Sequence, residues 1–170
     1  MKFLLLTLVL AFSSGFDVRE SYIDQYKDLA IIEMERTGVP ASIKLAQAIL
    51  ESQSGQSLFA LQSKNHFGIK CKEYWRGNMY LQIDDDRDGQ GELIESCFRS
   101  YEDVINSYVD HSNFLKYSKN YIHLFKLDSA DYKGWANGLQ EAGYATDKAY
   151  GKKLISIIER HKLYQYDEKP

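Results

Sequence analysis

The sequence predicts an α+β protein that is mainly helical, a helical body carrying a small β-hairpin lobe. Three observations predict it. Apolar residues recur at helical spacing on both sides of the middle of the chain. Glycines at 68, 77, 89 and 91 cut that middle into short alternating runs, the signature of strands and turns. Apart from the terminal Pro170 the only proline is Pro40, so nothing interrupts the helices from within.

Taken in order, Lys2 precedes the apolar run Phe3 to Phe12, and the small residues Ser13, Ser14 and Gly15 follow. That is the make-up of an export signal, expected to be cleaved near Gly15. The run is too short to anchor the chain stably across a bilayer. Residues 16–164 then read as one domain and residues 165–170 as a frayed tail. Ile23, Tyr26, Ala30 and Met34 predict a helix over 21–37, stopped by Gly38. Pro40 opens the next helix, where its missing N–H costs nothing. Over 41–53, Ile43, Leu45, Ala46, Ala48, Ile49 and Leu50 leave only a narrow polar sector of Lys44, Gln47 and Glu51, so this helix is expected to be buried nearly all round.

Residues 67–70, 79–83 and 94–99 read as short strands. Ser100 and Asp103 form a capping-box-like pair ahead of a helix over 103–117. A short helical piece falls near 132–142. Thr146 stands where it could cap a last helix, in which Tyr150, Leu154, Ile157 and Ile158 share a face.

Charge and cysteines narrow the function. The 21 basic and 24 acidic side chains give a net charge of −3, and loss of the leader removes one Lys and no acid. Nucleic-acid binding, which leans on clustered Lys and Arg, finds no support. Cys71 and Cys97 are the two cysteines, and in an exported chain such a pair reads as a disulfide, here joining the first strand to the last. The histidines at 66, 111, 123 and 161 are scattered, with no zinc-ligand spacing, and neither metal nor cofactor is expected. G-x-S-x-G, H-E-x-x-H and Gly-rich phosphate-loop motifs are absent.

Two acidic features remain. Glu51 lies in the last turn of an apolar helix, where the helix dipole and loss of water both favour a protonated carboxyl, and a carboxyl protonated near neutral pH is a general acid. Its alternative is a solvated helix edge. In the run Asp84-Asp85-Asp86-Arg87-Asp88, the residues Asp84, Asp86, Asp88, Gly89 and Glu95 satisfy the spacing of an EF-hand calcium loop. Extended flanks and the lack of a second hand argue against that. The run reads either as a solvated hairpin tip or as a carboxylate on a flap facing Glu51, since glycoside hydrolysis commonly uses two carboxyls across the scissile bond.

Five segments together resemble the glucosaminidases of flagellar peptidoglycan hydrolases and bacterial autolysins, glycoside hydrolase family 73. They are Gly38-Val39-Pro40-Ala41-Ser42, running on to Leu45-Ala46-Gln47-Ala48-Ile49-Leu50-Glu51-Ser52; Asn65-His66-Phe67-Gly68-Ile69-Lys70; Phe98-Arg99-Ser100-Tyr101; and Ala142-Gly143-Tyr144-Ala145-Thr146-Asp147, with Tyr150 and Lys153-Leu154 beyond. The resemblance covers about 38–163. It implies a lysozyme-like fold and endo-β-N-acetylglucosaminidase activity on peptidoglycan glycan strands. It makes Glu51 the general acid and places Tyr144 in the active site. A second acid on the β lobe would be Asp84 or Asp85, and Asn65, Phe67, Tyr101 and Tyr150 would be substrate-binding. After the catalytic Glu, relatives usually carry Gly-Trp-Gly, whereas this chain has Gln53-Ser54-Gly55. An exported monomer, acting in the periplasm, cell envelope or outside the cell, is the corresponding expectation. The alternatives are a lytic transglycosylase or muramidase, or a glycan-binding module without activity.

Overall fold

The computed structural model describes residues 17–168, the side chains of Asp85 and Asp86 excepted. The leader expected over residues 1–15 lies outside the described residues. The element order is α1 (Val18–Thr37), α2 (Ala41–Ser52), α3 (Leu58–Ser63), β1 (Met79–Arg87), β2 (Leu93–Arg99), α4 (Val104–Tyr117), α5 (Tyr132–Glu141) and α6 (Tyr150–Arg160), with 3₁₀ turns at Ile122–Lys126 and Leu163–Tyr166. This is the helical body with a two-stranded lobe that the sequence predicts.

Helix α2 is the axis of the body, packed against α1, α5, α6 and the last 3₁₀ turn. Asp17 caps α1 through Arg19 N, and Gly38 ends it in the left-handed region with φ 90°. Pro40 then takes the N-cap of α2. Every residue of α2 from Ala41 to Ile49 is buried, Lys44 and Gln47 completely. Lys44 and Gln47 of the polar sector are therefore interior, not on an edge. Lys44 Nζ donates to the Tyr108 carbonyl at 3.1 Å and lies 3.2 Å from His111 Nδ1, so its polarity is satisfied across the core. Burial holds the Lys44 ammonium down to a pKa of about 7. Ile43, Leu45 and Ile49 each contribute about 1.5–3 kcal/mol by leaving water.

The lobe is an antiparallel hairpin in the register Tyr80↔Phe98, Leu81↔Cys97 and Ile83↔Glu95, with an irregularity between Ile83 and Arg87. At its turn Asp88 Oδ1 accepts from Gln90 N and Glu92 N. The acidic run thus lies along a strand and into a hairpin turn, between strands and not between helices. Residues 67–70 do not form the expected strand. The Asn65 side-chain oxygen accepts from Phe67 N and Ile69 N, curling the segment, and only Lys70 bridges to Phe98. The Cys71–Cys97 disulfide forms as expected and ties this curl to β2.

Three local expectations are corrected. Asp103 itself caps α4 by accepting from Asn106 N, while the Ser100 hydroxyl donates to the Ser63 carbonyl. Thr146 is not the N-cap of α6: that place is taken by Ala149 without a side-chain cap, and Asp147 Oδ1 accepts from Ala149 N. The shared face of α6 buries Tyr150, Leu154 and Ile158, with Ile157 half-buried. Fraying does not begin at residue 165, because Asp167 is buried and accepts from Ser42 N at 2.8 Å, which fastens the C-terminal segment to the first turn of α2. Among the described residues no helix is long and apolar enough to cross a membrane.

Candidate active site

The last turn of α2 brings Glu51 out of the core while leaving it half-buried. Tyr150, in the first turn of α6, donates its hydroxyl to Glu51 Oε1 at 2.8 Å. Gln47, one turn back along α2, donates to the Tyr150 hydroxyl at 3.0 Å. Helix spacing puts Gln47 and Glu51 on one face, and α6 supplies the tyrosine that links them. Burial, opposed by the Tyr150 hydrogen bond and reinforced by the negative charge of Asp84, pushes the Glu51 carboxyl up to a pKa of about 7. The α2 C-terminus acts in the same direction.

Around Glu51 the walls are close. Gly68 has a left-handed φ of 62°, and a side chain there would reach within 3.6 Å of Glu51 Oε2. Tyr144 stacks on Tyr150 with ring centroids 5.5 Å apart, and its hydroxyl donates to the Phe67 carbonyl at 3.1 Å. Beside it runs a cleft of about 260 Å³ lined by Gly68, Ile69, Lys70, Tyr121, Tyr144 and Thr146. From the hairpin, Asp84 reaches Lys70 in an ion pair of 2.8 Å, and the Lys70 ammonium lies over the Phe98 ring. A carboxyl that stays protonated to near neutral pH thus sits within electrostatic reach of an acidic side chain carried by another element.

The anticipated site residues separate into groups. Glu51, Tyr144 and Tyr150 come together, with Asp84 acting on Glu51 through its charge. The Asp85 side chain lies outside the described residues. Asn65, expected to bind substrate, is instead fully buried: its amide donates to the Ile69 and Arg99 carbonyls and its oxygen takes two backbone N–H groups, so no polar atom is left for a sugar. Phe67 is likewise a core side chain, its ring stacked on His111 at 4.0 Å, and only its carbonyl touches the site through Tyr144. Tyr150 is 2 % exposed and faces Glu51, a positioning contact in place of the expected substrate contact. Tyr101 gives its hydroxyl to Asp110. Sequence reasoning passed over Gln47 and Lys70. The signal for Gln47 was its place four residues before Glu51 in the same polar sector, and Lys70 closes the Asn65–Lys70 segment.

Comparison with known proteins gives the family. The profile of the glucosaminidase family, described as mannosyl-glycoprotein endo-beta-N-acetylglucosaminidase, matches residues 27–163. The exo-glucosaminidase LytG of Bacillus subtilis is 35% identical over 155 residues, 89% of this chain and 55% of the relative. The peptidoglycan hydrolase FlgJ of Pseudomonas aeruginosa is 34% identical over 89% of this chain and 39% of its own length. The chain thus spans about half or less of the curated relatives it matches. Among solved structures, the catalytic domain of the autolysin Auto from Listeria monocytogenes superposes with a TM-score of 0.75 at 25% identity, covering 92% of this chain and 91% of that one. The glycoside hydrolase domain of Salmonella typhimurium FlgJ gives 0.65 at 28% identity, covering 86% and 90%.

Proposed function

Since the chain belongs to the glucosaminidase family, glycoside hydrolase family 73, we propose that it hydrolyses the glycan backbone of bacterial peptidoglycan after N-acetylglucosamine, with Glu51 as general acid. The observation that carries the reading is a carboxyl held protonated to about pH 7, bonded by Tyr150, close behind Gly68 and within electrostatic reach of an acidic side chain from the hairpin. Glu51 gives its proton to the leaving glycosidic oxygen as the bond to the anomeric carbon breaks. Asp84 takes a proton from the water that adds to that carbon. Both carboxyls then exchange protons with solvent and return to their starting states. Tyr150 and Gln47 hold Glu51 in place, and Tyr144 forms the wall against which the sugar lies.

On this reading residues 1–15 are an export leader, the residues from 16 on form the catalytic domain with its C-terminal segment fastened through Asp167, and the protein acts as a monomer in the periplasm, cell envelope or outside the cell. Digestion of purified sacculi, borohydride reduction and mass spectrometry test the bond cleaved. Reduced N-acetylglucosamine ends are expected. Anhydromuramic or reduced muramic ends would assign a transglycosylase or muramidase instead, and no release at all would leave a glycan-binding module.

A further inference from the structure

A second depression adjoins the cleft. It has a volume of about 560 Å³ and runs between the segment after the disulfide, through Lys72 and Tyr74, and the outer face of α4, through Asn113, Phe114 and Tyr117. Lys72 and Phe114 line both hollows, so the two are continuous. Its floor is electrically balanced. Arg99, almost wholly buried, donates to Asp110 at 2.7 Å and to the Tyr74 hydroxyl at 3.1 Å, with its guanidinium 4.6 Å from the Trp75 ring.

The rim is not balanced. Lys72 is exposed, and its ammonium has no carboxylate partner among the described residues. Asn113, half-buried on this face, accepts from Arg36 at its amide oxygen at 2.9 Å. Tyr74 and Tyr117 stand on either side, 67% and 73% exposed, large amphipathic rings left in water.

On a peptide-bearing strand the sugars bring no charge for Lys72 to meet, because the lactyl carboxyl is taken up in the amide to the peptide. Peptidoglycan has a second component, the short peptide branch on its muramic residues, which carries carboxylates and amide groups. We propose that this groove receives that peptide branch, Lys72 pairing with a carboxylate, Asn113 donating to a peptide carbonyl, and Tyr74 and Tyr117 clamping the backbone. The inference rests on the glycan-hydrolase reading above. It makes the groove a specificity element, so the enzyme distinguishes decorated from bare glycan.

The test uses the purified full chain on glycan strands of matched length, either bearing their peptides or stripped of them with the freed lactyl carboxyl capped as a methylamide. The wild type is expected to show a kcat/KM several-fold higher on peptide-bearing strands, expressed in KM. Tyr117→Ala should reduce that preference about three- to tenfold, equivalent to about 0.7–1.4 kcal/mol, and leave stripped strands unaffected. Lys72→Gln should reduce the same ratio and its dependence on salt. Equal losses on both substrates would assign the groove to sugars, and an unchanged ratio in both variants would remove it from recognition; either overturns the proposal. A wild type that cleaves neither substrate overturns the hydrolase reading, and the inference with it.

Discussion

Helix α2 and the β hairpin each carry one of two carboxyls that act on each other through charge, Glu51 and Asp84, and they hold them in opposite ways. In α2, the nine residues from Ala41 to Ile49 are buried, and Glu51 is locked by a chain of two hydrogen bonds through Tyr150 to Gln47. The hairpin packs from one side only, Phe98 and Tyr80 against Phe59. Its Met79, Leu81, Ile83 and Leu93 are left half or more exposed. Its base is anchored through the buried Arg99, and farther out it is tied by the Cys71–Cys97 bond and the Lys70–Asp84 pair. Few buried contacts mean low local stability. The contrast assigns different work to the two regions. In the proposed mechanism the body sets the protonation state of Glu51, while Asp84 is carried by the less buried hairpin and held there by Lys70.

Changes that probe this division should differ in kind as well as size. Asp84→Asn should lower kcat by about 10²- to 10³-fold, the usual contribution of a positioned acid or base, with KM little altered. A rate within threefold of wild type would move the role off Asp84. Replacing Cys71 and Cys97 together by Ser removes the clamp on a loop of 26 residues and should cost about 2–4 kcal/mol, read as a lower denaturation midpoint. Hydrogen exchange sharpens the point: protection should fall first in residues 79–99, and uniform loss across α2 would break the contrast.

Tyr150→Phe acts on the body alone. It deletes the donor that holds the Glu51 pKa down, so the alkaline limb of kcat/KM should move up by about one pH unit, with about 1 kcal/mol of stability lost. A shift downward would show that Tyr150 does not set the donor. The smallest effect is expected just past Glu51. Gln53 and Ser54 are non-glycine residues in the left-handed region, at φ 52° and 57°. Gln53→Gly should therefore raise stability by about 0.5–1 kcal/mol, seen as a higher Tm, and a lower Tm would mean its side chain contributes more than its backbone costs.

The same contrast explains what the sequence could reveal. Helix α2, the Gly38 stop and the hairpin were legible because periodicity and turn residues act locally. The burial of Lys44 and Gln47 was not, since it depends on the Tyr108 carbonyl and the Tyr150 hydroxyl, far along the chain. Residues 67–70 alternate like a strand, yet the Asn65 side chain takes the N–H groups a ladder would need. Glu51 stood out by position and resemblance, whereas its fastening by Tyr150, 99 residues away, came only with the fold.

On the proposed function Glu51 is the proton donor, and its raised pKa is its means. Glu51→Gln tests both parts in one variant. Turnover of purified sacculi should fall by at least about 10³-fold. The folded pKa lies above the ordinary value of 4.5, so the protonated carboxyl favours the native state below about 4.5, and this contribution is lost as pH rises through about 7. The amide has no such loss. Glu51→Gln should match wild-type stability near pH 4 and exceed it by about 1–3 kcal/mol above pH 7, discounted for partial exposure. A folded variant that keeps turnover within tenfold of wild type, with no stability gain at high pH, would contradict the account.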